Sequence, residues 1–422
     1  MNADFQRLLA KGREPAVFIN FAALGVIGVS GALLNVVVGS IWGSSTLGVF
    51  NQVFAVYLLA GQLGVIGLQN AALQHGAANL TQLSDVACAS LILCASIALP
   101  VAVLLWLGSG AIGYVLDSAP VRQGIALVAP GVLFFAINKV ALALLNAAGR
   151  MVWYGLLQAL RVVAILALVG AAAIFGIDGV MLPLAFVGAE LVVLFILAGW
   201  FVRPSQISIT AASAWFKRIL LFGIKSAPAT SFNEINYRVD TLVLGVFVGD
   251  RVVGVYSLAS TLVEGLMQGL IVIRTLVASA LVEALQEPAR KTTAELIRWT
   301  RRASYLLFLV VAILALPVYW AFLDVTGLMT DFSDSILIFA ILIAGPTLAA
   351  GYIPLGTILM FAGRPFEQSV LAAIILAANT ALNFALTAPF GAIGAATATA
   401  SANVFAAALL HLLIKRRLGL AF

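Results

Sequence analysis

The sequence predicts an all-α integral membrane protein with twelve transmembrane helices, arranged as two parallel repeats of six helices each. Three observations lead to this fold class: the apolar composition, a series of long apolar segments and an internal repeat. Of the 422 residues, 63% are hydrophobic and 9% are charged, and the mean hydropathy is +1.12. Soluble domains average about 25% charged residues, so the composition excludes a soluble globular protein. It equally excludes a disordered chain, which needs low hydrophobicity.

Twelve segments are apolar and long enough to cross a bilayer, which takes about 20 residues. The seven tryptophans lie near segment ends, as in the aromatic belts of membrane interfaces. The tenth segment contains Gly345-Pro346, Gly351 and Pro354, and we expect it to break most readily. In order, the segments are about 16–41, 48–73, 85–107, 122–146, 152–175, 178–201, 217–248, 252–284, 300–322, 335–361, 366–388 and 391–414.

The basic residues orient these segments. Of the 23 Lys and Arg residues, sixteen fall at the termini and in the connections of one side, and only Arg122 and Arg251 fall on the other side. Cytoplasmic loops carry such an excess of Lys and Arg, so both termini are predicted to be cytoplasmic. The net charge of +6 therefore reflects loops beside an anionic membrane surface, and no nucleic-acid partner is expected.

An internal repeat relates the two halves of the chain. The stretch VVGSIWGSSTLGVF at 37–50 matches VLGVFVGDRVVGVY at 243–256, so that Gly48 corresponds to Gly254. Further matches follow in register, among them Ala148-Gly149-Arg150 with Ala362-Gly363-Arg364. Because each half holds six segments, both halves enter the membrane from the same side, which makes the repeats parallel. We expect an N-terminal lobe at 1–207, a C-terminal lobe at 208–422, a central cavity and rocking motion between the lobes, which is transporter architecture.

Charged residues inside the segments indicate the substrate chemistry, since a charge at mid-bilayer normally faces a cavity or a partner. We expect Glu234 and Arg238, at i and i+4, to pair with each other. The cavity then keeps an excess of cations, which suits an anionic substrate such as a phosphate or pyrophosphate headgroup. The predicted cavity cations are Lys139, Arg161, Arg274 and Lys225.

The remaining buried polar residues divide into two sets. The carboxylates Asp240, Glu190 and Glu264 are candidates for coupling to an ion or proton gradient. Neutral side chains form stripes that either contact substrate or hydrogen-bond between helices, and for most of them the pattern favours neither interpretation. These neutral residues are Asn51, Gln62, Gln69, Gln158, Asn233, Asn236, Asn379 and Asn383. On the seventh segment, Asn233 and Asn236 share a polar stripe with Lys225 and Asp240 that we expect to line the cavity.

Catalytic and metal-binding patterns are not found in the sequence. His75 and His411 have no other potential metal ligands near them in the sequence, and the chain contains no Gly-rich phosphate loop and no serine-nucleophile motif. We therefore expect no metal, no cofactor and no enzymatic activity. A membrane glycan polymerase or ligase usually needs a large external loop, and none is predicted here.

The repeat motifs resemble those of a known family. Gly39…Gly48-Val49-Phe50 and its copy, the two Ala-Gly-Arg triplets, and the turns Phe175-Gly176…Gly179 and Phe390-Gly391…Gly394 are similar to the polysaccharide repeat-unit flippases. These flippases belong to the multidrug/oligosaccharidyl-lipid/polysaccharide exporter superfamily. The resemblance covers nearly the whole chain and implies the two-lobed helical bundle shared with the multidrug exporters of that superfamily.

The resemblance also implies a function. Such flippases move undecaprenyl-diphosphate-linked oligosaccharide across the bacterial inner membrane by alternating access, coupled to an H⁺ or Na⁺ gradient. The implied partners are this lipid-linked substrate, membrane lipids, and the polymerase and chain-length proteins of O-antigen or exopolysaccharide synthesis. The alternative is an ion-coupled multidrug or cation antiporter of the same superfamily.

Overall fold

The computed structural model of the chain describes residues 15–201, 209–286 and 290–419, and all regular secondary structure within these ranges is helical. Three 3₁₀ turns, Leu80–Gln82, Gly179–Met181 and Ile353–Leu355, and a π-helical turn, Ile414–Leu418, join or extend the α-helices. The α-helices are α1 (Pro15–Val65), α2 (Leu68–Ala78), α3 (Leu83–Val115), α4 (Ala119–Ala147), α5 (Met151–Ile174), α6 (Leu184–Phe201), α7 (Ile209–Asn236), α8 (Val239–Phe247), α9 (Asp250–Gln286), α10 (Arg290–Val325), α11 (Met329–Phe332), α12 (Ser335–Ala349), α13 (Ile358–Phe361) and α14 (Pro365–Leu413).

The described residues form a multi-pass membrane protein. Among them, eight helices are long and apolar enough to cross a membrane, or nine if the bent pair Ser335–Ala349 and Ile353–Phe361 counts as one span. That pair bends by 60°, which confirms the predicted break in the tenth segment. The expected count of twelve spans stays a prediction.

Two of the longest helices are interrupted by a glycine. Gly43 (φ 83°, ψ 173°) lies inside α1, and Gly391 (φ 56°, ψ −133°) lies inside α14. These dihedral angles are far from helical values and are readily adopted only by glycine. Each of these two helices therefore consists of two straight segments that meet at a kink.

The chain forms two compact units, one comprising Ala22–Gly254 and the other running from Val255 onward together with the start of α1. The division of the sequence at 207/208 into two six-helix lobes stays a prediction. In the first unit, α7 packs against α2 and α3, and α3 packs along α4. Alanines such as Ala89, Ala98 and Ala136 are fully buried in this core, and their small side chains let the helix backbones approach closely.

Within the first unit, two repeat-related glycines meet at a helix crossing. A Cβ atom on Gly48 of α1 would collide with the carbonyl oxygen of Asp250, and one on Gly254 of α9 would collide with that of Ser44. Ser44 and Asp250 occupy corresponding positions of the sequence repeat, so the contact is symmetric. The repeat therefore preserves these glycines at a place where the backbones of both copies touch.

Polar side chains also connect the helices at this crossing. The Asp250 carboxylate accepts a hydrogen bond from Gln52 Nε2 at 2.8 Å and another from Ser118 Oγ at 2.7 Å. The Ser118 hydroxyl oxygen also accepts from the Val121 backbone N–H, which caps the start of α4. Asp250 thus links the beginning of α9 to α1 and to the beginning of α4.

In the second unit, α12 packs along α14. A Cβ atom on Gly345 would lie 2.5 Å from the Ala400 Cα, so the two backbones are in direct contact. A second cluster of buried side chains, including Leu281, Leu359 and Ile414, joins α9, α13 and the π-helical turn. This unit therefore has its own apolar core.

Candidate functional site

A cavity of about 540 Å³ lies inside the first unit, among α1, α2, α4, α5, α6 and α7. Most of the helices around the cavity are apolar, and polar groups buried within such helices normally line a cavity or find a partner. Aromatic rings from Phe54, Tyr57, Phe135 and Phe186 form part of the wall. The polar and charged lining residues are Gln62, Gln69, Asn70, Lys139, Asn146, Tyr154, Gln158, Arg161, Glu190 and Glu234.

A helix break shapes one side of this cavity. Between α1 and α2, Ile66 (φ 42°) and Gly67 (φ 77°) both adopt left-handed backbone conformations. A Cβ atom on Gly67 would collide with the Gly223 carbonyl oxygen of α7, so glycine is required there for backbone contact as well as for its conformation. The break lies between Gln62 and Gln69, and it brings both amides to the cavity wall on separate helices.

Arg161 and Glu190 form a buried ion pair at the cavity wall. Arg161 Nε lies 3.0 Å from Glu190 Oε1, and the two side chains are 16% and 2% exposed. Asn138 Nδ2 donates to Glu190 Oε2 at 2.7 Å, and the Tyr57 hydroxyl donates to Oε1 at 3.3 Å. The Arg161 guanidinium also lies over the Phe135 ring, 5.2 Å from its centroid. Glu190 is therefore fixed by three different helices.

Lys139 forms a second and looser set of contacts. Its ammonium donates to Gln62 Oε1 at 2.7 Å and lies 3.7 Å from Glu234 Oε1. It also lies 5.4 Å from the centroid of the Phe135 ring, so this ring contacts both cavity cations. The Glu234 side chain is 44% exposed, and Glu234 is two residues before the end of α7.

Several buried amide atoms at the cavity are not satisfied by protein. Gln62 is 3% exposed and Gln69 is 8% exposed. Neither Gln62 Nε2 nor either amide atom of Gln69 has a hydrogen-bond partner among the described residues. Since a buried polar group normally finds a partner, these atoms are available to the polar groups of a ligand.

The charges that line this cavity balance. It contains two cations, Lys139 and Arg161, and two carboxylates, Glu190 and Glu234. The predicted cationic excess depended on Glu234 pairing with Arg238. However, α7 ends at Asn236 and α8 begins at Val239, so the two residues lie on either side of a break. Glu234 instead contacts Lys139, and the Arg238 guanidinium lies over the Phe54 ring. The cationic excess is therefore absent from this cavity.

The predicted neutral residues of the first unit separate by role. Gln62, Gln69 and Gln158 line the cavity. Asn51 is not among the lining residues. Its amide donates to Asn35 Oδ1 at 2.8 Å and to the Leu47 carbonyl at 3.0 Å, so it joins the two segments of α1.

The polar stripe predicted on the seventh segment does not line the cavity. Lys225 and Asn233 are exposed, and Asn236 is half-buried at the end of α7. Asp240 is 6% exposed and accepts a hydrogen bond from the Thr241 backbone N–H at 2.7 Å, at the start of α8. The break between α7 and α8 places Asp240 on a different helix from the other residues of the stripe.

Four predicted residues belong to the second unit. Glu264 and Arg274 are half-buried on α9. Asn379 and Asn383 are buried in α14, and Asn383 Nδ2 donates to Asn379 Oδ1 at 2.9 Å. This pair therefore satisfies part of its hydrogen bonding within a single helix, and the roles of all four residues stay predictions.

The sequence did not predict two cavity residues, Tyr57 and Phe135, or Asn138, which contacts a cavity residue. Tyr57 and Asn138 hold Glu190, and Phe135 contacts both cations. Asn138 was detectable as a second polar residue beside Lys139 in an apolar segment. Phe135 and Tyr57 gave no signal, since aromatic residues inside a transmembrane segment are usually packed against other helices or lipid.

Known structures share this fold. An inward-facing multidrug resistance MATE family transporter of the MOP superfamily matches with a TM-score of 0.79 at 15% identity, covering 99% of this chain and 98% of that one. The lipid II flippase MurJ in an inward closed conformation matches with a TM-score of 0.75 at 13% identity, covering 94% and 87%. A MOP superfamily transporter from Pyrococcus furiosus, whose binding pocket is described as having reverse polarity, matches with a TM-score of 0.66 at 17% identity, covering 99% and 98%.

The sequence comparisons identify the family. A search of curated protein sequences gave no match. The model of the family described as "Polysaccharide biosynthesis protein" matches residues 41–332, which is more than half of the chain. Together with the shared fold, this match confirms the resemblance that the glycine motifs indicated. The chain belongs to the polysaccharide biosynthesis protein family.

Proposed function

We propose that the protein is a flippase that moves undecaprenyl-diphosphate-linked oligosaccharide repeat units across the bacterial inner membrane by alternating access. Its product would serve the synthesis of a surface polysaccharide such as O-antigen or exopolysaccharide. Membership of the polysaccharide biosynthesis protein family supports this role. The fold shared with the lipid II flippase MurJ is compatible with a lipid-linked cargo.

The observation that carries the proposal is the polar cavity inside an apolar helical unit. It combines two cations, buried amides and five aromatic rings. Amides suit sugar hydroxyls because they both donate and accept hydrogen bonds. Lys and Arg suit phosphate oxygens, and the aromatic rings provide flat apolar surface beside them. An oligosaccharide diphosphate needs this combination when it leaves water to cross the bilayer.

The proposed topology has twelve spans, cytoplasmic termini and two parallel lobes, 1–207 and 208–422. The kinks at Gly43 and Gly391 support it, since each divides one long helix into two segments. The predicted segments 16–41 and 48–73 fall on opposite sides of the first kink, and 366–388 and 391–414 meet at the second.

Further roles belong to the proposal. Arg274 and Lys225 would supply cations along the transport path beyond the cavity of the first unit, and Asp240 or Glu264 would couple transport to an H⁺ or Na⁺ gradient. Glu190, the third coupling candidate from the sequence, is held by an ion pair and two hydrogen bonds and is better suited to a structural role. A polymerase and a chain-length protein would receive the translocated repeat units.

A gene deletion tests the proposal. Undecaprenyl-linked repeat units should accumulate in the inner leaflet of the deletion strain, because synthesis continues while translocation stops. Mass spectrometry of extracted lipids and surface-glycan staining would measure this, and re-expression of the wild-type chain is the control. Normal surface glycan in the deletion strain would exclude the flippase. Resistance to cationic drugs on overexpression, with unchanged glycan, would support the multidrug or cation antiporter instead.

A further inference from the structure

The two ion pairs of the cavity share a chemistry but differ in how firmly they are held. The Arg161–Glu190 contact is 3.0 Å long, and both side chains are largely buried. The Lys139–Glu234 contact is 3.7 Å long, and Glu234 is 44% exposed. Both cations lie over the same Phe135 ring, so this neighbour does not account for the difference. What separates the pairs is the environment of each carboxylate.

Glu190 cannot leave its partner without a large loss. Its carboxylate also accepts from Asn138 Nδ2 at 2.7 Å and from the Tyr57 hydroxyl at 3.3 Å. Removing one member of a buried pair leaves an uncompensated charge, which is strongly unfavourable. We therefore expect Arg161 and Glu190 to stay paired when a ligand enters, and to act as part of the cavity wall.

Glu234 is in the opposite situation. Among the described residues, its one ion-pair contact at the cavity is with Lys139. A carboxylate that is nearly half exposed can exchange a protein cation for water at little cost. Glu234 also lies at the end of α7, just before the break that precedes α8, where a side chain can move without disturbing a helix interior.

Lys139 stays in position when Glu234 leaves. Its ammonium has three donors, and one of them is used by Gln62 Oε1 at 2.7 Å. Gln62 is 3% exposed and lies at the end of α1, next to the break, so it holds the ammonium at the cavity wall. The donors released from Glu234 can then bind an anionic oxygen of the cargo.

We infer that Lys139 is the anion-binding group of this cavity and that Glu234 is an internal competitor, displaced by the anionic part of the cargo. The inference rests on the proposed flippase function and names the residues that select the cargo. The bound group is a phosphate or a carboxylate oxygen, supplied either by the lipid diphosphate or by an acidic sugar. Lys139 keeps an anionic partner throughout the exchange, because the cargo anion takes the place that Glu234 vacates, and the partly exposed Glu234 carboxylate is then solvated by water.

Binding measurements on the purified full-length protein test the exchange. Farnesyl diphosphate serves as a soluble diphosphate probe and glucuronate as an acidic-sugar probe, each titrated by isothermal calorimetry. For the probe that binds, Glu234→Gln should lower Kd by about three- to tenfold, since it removes a partly exposed competing ion pair. Lys139→Met should weaken binding by at least about tenfold, as expected for a lost charge-assisted hydrogen bond.

Two further variants make the test specific. In the Lys139→Met background, Glu234→Gln should change Kd by less than about twofold, because the two effects act through one contact. Asp117→Asn is the matched control. Asp117 is an exposed carboxylate of the same unit, and its left-handed backbone, with φ 46°, is well tolerated by asparagine. This change removes the same charge and should leave Kd unchanged.

The outcomes separate the inference from the function it rests on. Equal or weaker binding by Glu234→Gln, with wild-type binding intact, would overturn the competitor role and leave the flippase standing. A similar gain in the Lys139→Met background would show that Glu234 acts by long-range charge and would also overturn it. If neither the wild type nor any variant binds either anion, the result would contradict both the competitor role of Glu234 and the flippase function. The probe that binds, diphosphate or glucuronate, identifies the part of the cargo that reaches Lys139.

Discussion

Replacing Glu190 by glutamine should destabilise the first unit strongly. The glutamine keeps the shape of the carboxylate but offers one acceptor oxygen, whereas Glu190 serves Arg161, Asn138 and Tyr57. The glutamine NH₂ would face another donor, and Arg161 would lose its countercharge at a site where its side chain is only 16% exposed.

The size of the effect follows from burial. Removing one partner of a buried ion pair costs about 3 kcal/mol or more. For a unit the size of Ala22–Gly254, a loss of about 3 kcal/mol corresponds to a fall in Tm of about 6–12 °C. The partly exposed pair provides the comparison. Glu234→Gln should lower Tm by less than about 4 °C, since such an ion pair contributes at most about 1 kcal/mol.

Tryptophan-fluorescence melting of the detergent-purified protein measures both variants under the same conditions. A double variant, Arg161→Met with Glu190→Leu, provides the decisive control. Replacing both charges by apolar groups of similar size is often neutral for stability, so this variant should recover most of the lost Tm. A wild-type melting curve for Glu190→Gln would refute the assignment of Arg161–Glu190 as a structural pair.

Two further predictions concern the helix crossing and the aromatic wall of the cavity. Gly254→Ala should lower Tm and reduce transport, because its Cβ would overlap the Ser44 carbonyl and separate the crossing helices, at a cost of about 1–3 kcal/mol. Gly170→Ala should be neutral, since a Cβ there meets no atom within 4 Å, and equal behaviour of the two variants would contradict the crossing. Phe135→Leu should weaken farnesyl diphosphate binding by about two- to fivefold, because it removes the ring beneath both cavity cations. An unchanged Kd in calorimetry would show that the ring does not position Lys139 and Arg161.

Much of the fold could be predicted from local sequence. Apolar runs of sufficient length predicted an all-helical, multi-pass membrane protein, and Gly345-Pro346, Gly351 and Pro354 predicted the segment that bends by 60°. These properties depend on residues close together in the chain, so they can be read without tertiary contacts. The repeat match of Gly48 with Gly254 also marked a special position, although it did not show that the two glycines touch each other.

The candidate site was predictable in part. Lys139, Arg161, Glu190, Gln62, Gln69 and Gln158 were selected because polar groups inside apolar segments need partners, and the structure brings all six to one cavity. Asn51 was selected on the same ground but bonds within α1. A helical wheel shows which face a residue occupies, and it cannot show what that face meets.

Composition and pattern by themselves determined that this chain is an all-helical, multi-pass membrane protein with an internal repeat and charges buried within its segments. Only the tertiary structure decided how those charges pair. Helix breaks between α1 and α2 and between α7 and α8 changed the directions of residues that a continuous helix would have aligned. Glu234 consequently meets Lys139 of α4, and the cavity balances its charges. Pairing inside a membrane depends on which helices lie side by side, and that arrangement is set by packing over the whole unit.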